Sequence, residues 1–153
     1  MHTVDQIAIH APLDRIFQAA ADVQRWPEIL SHYRRVRFLD RRDGGGLVEM
    51  AAWRPFGPLR YPARWVSEMI VDRAGGEIRY RHVRGITAGM NVVWRLDSQA
   101  GTDSVRVTIV HEWRGPAWPL IGALAADLVI GPVFIHGIAA RTLAGIKRFA
   151  EGK

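Results

Sequence analysis

The chain contains no cysteine. That excludes thiol nucleophiles, disulfides and thiolate metal sites, and it suits a reducing, cytoplasmic setting. Lysine is almost missing and stands only at Lys147 and Lys153, so the net charge of +6, from 21 basic and 15 acidic residues, is carried by arginine. A surface built to follow a phosphate backbone draws on lysine as well. The densest basic run, "RRVRFLDRR" from Arg34 to Arg42, therefore reads as a solvated strand edge, and no nucleic-acid partner is expected. No long apolar run is unbroken. The longest, "LIGALAADLVIGPVFIHGIAA", is interrupted by Asp127, Pro132 and His136, which makes it a poor membrane span and a better buried helix. The N-terminal "MHTVDQIAIH" has no basic segment followed by an apolar one, so it does not read as a signal peptide. Internal repeats, low-complexity tracts and linkers are also missing. With 153 residues, the expectation is one domain over 1–153 with a single core.

What is present changes period along the chain. "TVDQIAIHA" reads as a strand with Ile7 and Ile9 on one face. Pro12 then opens a helix, "PLDRIFQAAADV", because a proline at the first turn gives up an N–H that would have no partner there. Ile16, Ala19, Ala20 and Val23 recur at helical spacing, and Pro27 introduces a second short helix, "PEILSHY". From Tyr33 to Trp113 the pattern alternates, with turns at "DGGG", Gly57-Pro58, Gly75-Gly76 and "SQAGTD". This implies an antiparallel meander. The last segment is helical: Leu128, Ile135, Ala139, Thr142, Leu143, Ile146 and Ala150 form one stripe, opposite Arg141 and Arg148, with a kink expected at Pro132. The fold class is α+β. A curved antiparallel sheet of about seven strands wraps a long C-terminal helix, with two short helices between strands 1 and 2.

Parity assigns the inner face. Trp65, Ser67 and Met69 share it, as do Ile78, Tyr80 and His82 on the next strand. Met90, Val92, Trp94 and Leu96 follow, then Val105, Val107, Ile109, His111 and Trp113. Charged residues sort outward. A face that mixes large aromatics with Ser67, Tyr80, His82 and His111 describes a ligand pocket better than a solid core, since each buried polar group needs a partner. The expected ligand is a hydrophobic small molecule, with Trp65, Met69, Tyr80, Met90, Trp94, His111 and Trp113 as walls.

The stretches "IHAPLDRIFQAAADVQRWPEILSHY", "RWVS", "GMNVVW" and "RTLAGIKRFAE" resemble the START-like helix-grip superfamily, and "WVS" and "MNVVW" resemble its polyketide cyclase/aromatase branch. The resemblance implies that the short helices cross the cavity mouth, with Trp26 and Tyr33 as lid or wall. It also implies aldol cyclisation and dehydration of a poly-keto chain, with Tyr33, Ser67 and His82 as hydrogen-bond and proton donors. The chain departs from that branch at two inward arginines, where Met69 and His82 stand, and at a polar amide of the last helix, matched by His136. Imidazoles at His82, His111 and His136 thus replace fixed charge, and unlike arginine they can shuttle protons. The resemblance also leaves open a non-catalytic carrier of a quinone, fatty acyl or other lipid-like ligand. An acidic acyl carrier protein suits the basic surface as a partner. No cofactor is expected, and no metal, because the three histidines lack a ligand spacing. A Ser67–His82 nucleophile pair lacks an orienting carboxylate on the inner face. "DGGG" lacks the strand–loop–helix context of a phosphate loop.

Overall fold

A computed structural model describes residues 1–56, 58–116 and 132–153, without the side chains of 55, 56, 61, 132 and 133. The helix expected over 120–131, the place of Leu128 on its stripe and the chain before Pro132 lie outside the described residues.

Seven strands form one antiparallel sheet in the order β1-β7-β6-β5-β4-β3-β2. They are β1 (His2–Ile9), β2 (Tyr33–Arg42), β3 (Gly45–Phe56), β4 (Leu59–Asp72), β5 (Glu77–Arg84), β6 (Asn91–Ser98) and β7 (Val105–Glu112). The meander runs from β2 to β7, and β1 closes onto β7, with His2 opposite Glu112 and Ile9 opposite Val105. The turn at "DGGG" is tighter than its sequence alone requires. A Cβ at Gly45 would collide with the Met69 carbonyl, and one at Gly46 with that of Asp40. Only glycine lets the β2–β3 turn fold against β4.

Between β1 and β2 lie α1 (Leu13–Ala21), a 3₁₀ turn (Val23–Arg25) and α2 (Trp26–Ile29). The second helix is shorter than "PEILSHY" suggests. Leu30 is already extended (φ −124°, ψ 100°) and Tyr33 opens β2, so Tyr33 is a strand residue. The C-terminal helix α3 (Pro132–Glu151) lies on β1 and β7 and against α1 and α2. Its buried stripe is Ile135, Ala139, Thr142, Leu143, Ile146 and Ala150, the six expected positions within the described residues. Gly145 faces Leu30, where a Cβ would overlap the leucine side chain, so α3 approaches the α2 corner closely. Among the described residues, no helix is long and apolar enough to cross a membrane.

Candidate functional site

The concave face of the sheet, α2 and α3 enclose a cavity with about 70 Å³ open to a water-sized sphere. A continuous aromatic belt borders it. Trp94 packs on Trp26 with ring centroids 5.7 Å apart, and Trp26 meets the edge of Tyr33 at 4.9 Å. Tyr33 meets Trp65 at 6.2 Å, and Trp65 stacks on His82 at 5.9 Å with 18° between planes. Strand alternation supplies Trp65, His82 and Trp94, while α2 inserts Trp26 from above. Its Nε1 donates to the Ala19 carbonyl at 3.1 Å, which ties the indole to α1. On the α3 side the wall is Ile135, Ile138, Ala139 and Thr142.

The polar groups come from four strands, a loop and α3. Arg54, on β3, lines the cavity and is 3% exposed, with its guanidinium over the Phe134 ring. Tyr80 is 6% exposed, and its hydroxyl has no hydrogen-bond partner among the described residues. His82 Nδ1 lies 2.7 Å from the hydroxyl of Thr87. His111 Nδ1 lies 3.4 Å from that of Thr3. Thr142 donates its single proton to the Ile138 carbonyl at 2.8 Å, so His32 Nε2, 2.9 Å away, must donate to Thr142.

Burial sets the protonation states. It lowers His82 to about 3, helped by the neighbouring His111 and Arg54. Burial lowers His111 to about 4, and burial with Arg141 lowers His32 to about 4. All three imidazoles are neutral at pH 7. Burial pushes Tyr33 upward, partly offset by Thr142 and Arg54, and pushes Tyr80 upward with help from Tyr33. Both phenols therefore keep their protons and serve as donors.

Of the residues expected at the site, eight border this cavity: Trp26, Tyr33, Trp65 and Tyr80, then His82, Met90, Trp94 and His111. Ser67 does not. It is fully buried beneath the lining, its hydroxyl has no partner among the described residues, and it sits directly across from His82 without a bond to it. Met69 and Trp113 are buried in the core outside the cavity, and Trp113 Nε1 donates to the Ala88 carbonyl at 3.0 Å. His136 is not inward. One helical step past Ile135 turns it to the rim, where it is exposed and pairs with Asp5. Asp5 in turn corrects the outward sorting of acidic residues, since it lies on the inner face of β1 and is 5% exposed. The space open to a water-sized sphere, about 70 Å³, is also smaller than the expected hollow. Drug-sized ligands fill roughly 300–1,000 Å³.

Sequence reasoning missed Arg54. The two inward arginines of the resembled branch are replaced by Met69 and His82, yet fixed positive charge enters the wall from another strand. Parity holds the clue: Val48, Met50, Ala52 and Arg54 alternate along β3, and all four are buried. β3 runs to Phe56, as "LVEMAAWRPF" suggests, but its two faces were not assigned from the sequence.

The family model described as "Polyketide cyclase / dehydrase and lipid transport" matches residues 9–130. A Streptomyces halstedii protein and a Streptomyces cyaneus protein, both named "Putative polyketide cyclase", are 33% identical over 94 residues and 32% identical over 97. The matched parts are 61% of this chain and 84% of the first relative, and 63% of this chain and 62% of the second. Among solved structures, the Zhui aromatase/cyclase of Streptomyces sp. R1128 superposes with a TM-score of 0.81 at 19% identity, over 99% of this chain and 93% of that one. A START superfamily protein of Mycobacterium smegmatis superposes with a TM-score of 0.72 at 12% identity, over 99% and 97%. At such identities these structures establish the helix-grip fold.

Proposed function

The chain belongs to the polyketide cyclase/dehydrase and lipid transport family, and we propose that residues 1–153 act as one ligand-binding domain whose cavity takes a hydrophobic poly-keto or aromatic ligand and promotes its aldol cyclisation and dehydration. The observation that carries this reading is the Tyr80 hydroxyl, buried in an aromatic wall with no partner among the described residues. A buried hydroxyl without a hydrogen bond costs about 1–3 kcal/mol. A ligand carbonyl or enol oxygen beside it removes that cost.

The chemistry follows from the protonation states. With its wall displaced to admit the ligand, the cavity holds one folded conformer of the chain, which lowers the entropic barrier to ring closure. Tyr33 and Tyr80 donate to carbonyl oxygens, and the Arg54 guanidinium stabilises the enolate that forms when an α-proton leaves. Neutral His82 takes that proton at Nε2 in the tautomer whose Nδ1–H donates to Thr87. The enolate carbon attacks a second carbonyl and closes the ring. The imidazolium, acidic because burial and Arg54 disfavour it, gives its proton to the alkoxide so formed. In the dehydration His82 takes a second α-proton and passes it to the departing hydroxyl, which leaves as water while the C=C bond forms. Ser67 is too deeply seated to act on the ligand. The chain arrives as a thioester, and an acidic acyl carrier protein fits the net charge of +6.

The mostly apolar α3 wall, Ile135, Ile138 and Ala139, also suits a carrier of a quinone, fatty acyl or other lipid-like ligand. Incubation with an enzymatically generated poly-β-keto thioester, followed by mass spectrometry, separates the two. Cyclisation predicts a dehydrated ring product that falls at least about tenfold in His82→Ala. A ligand bound and returned unchanged would establish the carrier, and normal ring product from His82→Ala would remove His82 from the mechanism.

A further inference from the structure

The convex face of the sheet, away from the cavity, carries an arginine cluster that the cyclase reading does not use. At its centre is Glu49 on β3, whose side chain is only 6% exposed. Its Oε1 accepts from Arg35 Nη2 at 3.2 Å and from Arg37 Nε at 2.9 Å, and its Oε2 lies 3.6 Å from Arg64 Nε. Three guanidiniums thus share one carboxylate. Two more, Arg34 and Arg60, lie over the Trp53 ring, 4.5 and 5.5 Å from its centroid. Among the described residues, neither of these two forms an ion pair. Beside Glu49, Arg34, Arg35 and Arg64 line a depression of about 560 Å³ floored by Ala51, Pro62 and Ala63. Among the described residues, no acidic side chain lines it.

Five positive charges around one negative are not a self-neutralised network. Like charges held this close repel, and a bound anion relieves that repulsion. Each guanidinium has five N–H donors. Glu49 accepts from one of them on Arg35 and forms an ion pair without a hydrogen bond with Arg64, and these side chains remain 56% and 67% exposed. The buried carboxylate therefore fixes where the two guanidiniums stand without using them up, and Trp53 does the same for Arg34 by stacking. The small side chains of Ala51, Pro62 and Ala63 leave room beside these three arginines. A phosphate suits them better than a carboxylate, because it offers more oxygens and up to two charges to several guanidiniums at once.

We propose that this depression binds the phosphate group of a small phosphorylated ligand. Arg34, Arg35 and Arg64 are its direct donors, and Glu49 and Trp53 are positioning residues. The proposal stands apart from the cavity reading. On the same strand segments Tyr33, Met50, Arg54 and Trp65 line the cavity while Arg34, Arg35, Ala51 and Arg64 line the depression, so the two sites lie back to back across the sheet.

Calorimetric titration of the full chain with inorganic phosphate and with glycerol 3-phosphate, at about 0.15 M ionic strength, tests it. Saturable binding of at least one of them is expected. Tighter binding of the glycerol ester identifies a phosphomonoester as the natural ligand, and tighter binding of inorganic phosphate identifies the free anion. Arg34→Gln and Arg64→Gln should each weaken binding about tenfold or more. Arg37→Gln removes the same charge from a guanidinium that does not line the depression, and should change binding less than about threefold. Arg34→Lys keeps the charge but loses the fork, and should weaken binding while leaving the thermal midpoint unchanged. No saturable heat with either anion would overturn the proposal, as would an equal loss in Arg34→Gln, Arg37→Gln and Arg64→Gln, the mark of diffuse charge.

Discussion

At the scale of single residues, stability and ligand recognition pull against each other at Tyr80. Its ring belongs to the core, but its hydroxyl is buried without a partner among the described residues. Tyr80→Phe should therefore raise folding stability by about 1 kcal/mol, read from the denaturant midpoint, while weakening an oxygen-bearing aromatic ligand several-fold in a direct titration. Ser67→Ala provides the contrast. It also removes an unpartnered buried hydroxyl, but one outside the cavity, so it should stabilise without changing ligand affinity. Equal losses of affinity in both variants would mean that Tyr80 does not contact the ligand. Both positions were legible as inward from parity. Parity cannot say which inward residues reach the open space and which lie beneath it, since that depends on sheet curvature and on what the helices insert.

Among the elements, α2 carries Trp26 into the cavity wall. This four-residue helix places Trp26 between Trp94 and Tyr33, and the bond from Nε1 to the Ala19 carbonyl locks it to α1. About 70 Å³ of open space holds a few waters and not a folded poly-keto chain. A ligand of several rings therefore needs the wall to move, and where Trp26 is the part that moves, the strength of its anchoring sets part of the entry barrier. Trp26→Phe removes the hydrogen bond and some ring volume. It should lower stability by about 2 kcal/mol and speed association of a fluorescent polyaromatic ligand in stopped-flow measurements. Slower or unchanged association would place the entry route elsewhere. The aromatic-plus-proline pair at Trp26 and Pro27 was visible in sequence, and its meaning came from the resemblance. The end of α2 at Ile29 was not visible, because "LSHY" has no helix-stop residue and yields to pairing of Tyr33 with Ala52 on β3.

For the molecule as a whole, three buried neutral imidazoles link folding to pH. His32, His82 and His111 have folded values of about 4, 3 and 4, against an ordinary 6.5. The unfolded chain binds more protons than the folded one between these limits, so stability is fully present above about pH 6.5 and is lost as pH falls toward 4. Urea midpoints should be flat from pH 8 to 7 and then drop through pH 6 and 5. His82→Phe should make the drop shallower. A midpoint that rises or stays level between pH 7 and 5 would show that these rings are not buried neutral.

The fold class, the seven strands, the inner faces of β4 to β7 and the described part of the C-terminal stripe followed from the sequence by itself, because period-two and helical spacing are local properties of the chain. Its lack of cysteine and its reliance on arginine for positive charge were equally plain. Only the tertiary structure decided that Arg54 stands in the cavity wall, that His136 leaves it for Asp5, and that Glu49 draws three arginines together on the opposite face. Those pairings join residues far apart in the chain or on neighbouring strands. They depend on sheet curvature, strand register and the rotation of α3 about its axis, none of which a local pattern encodes.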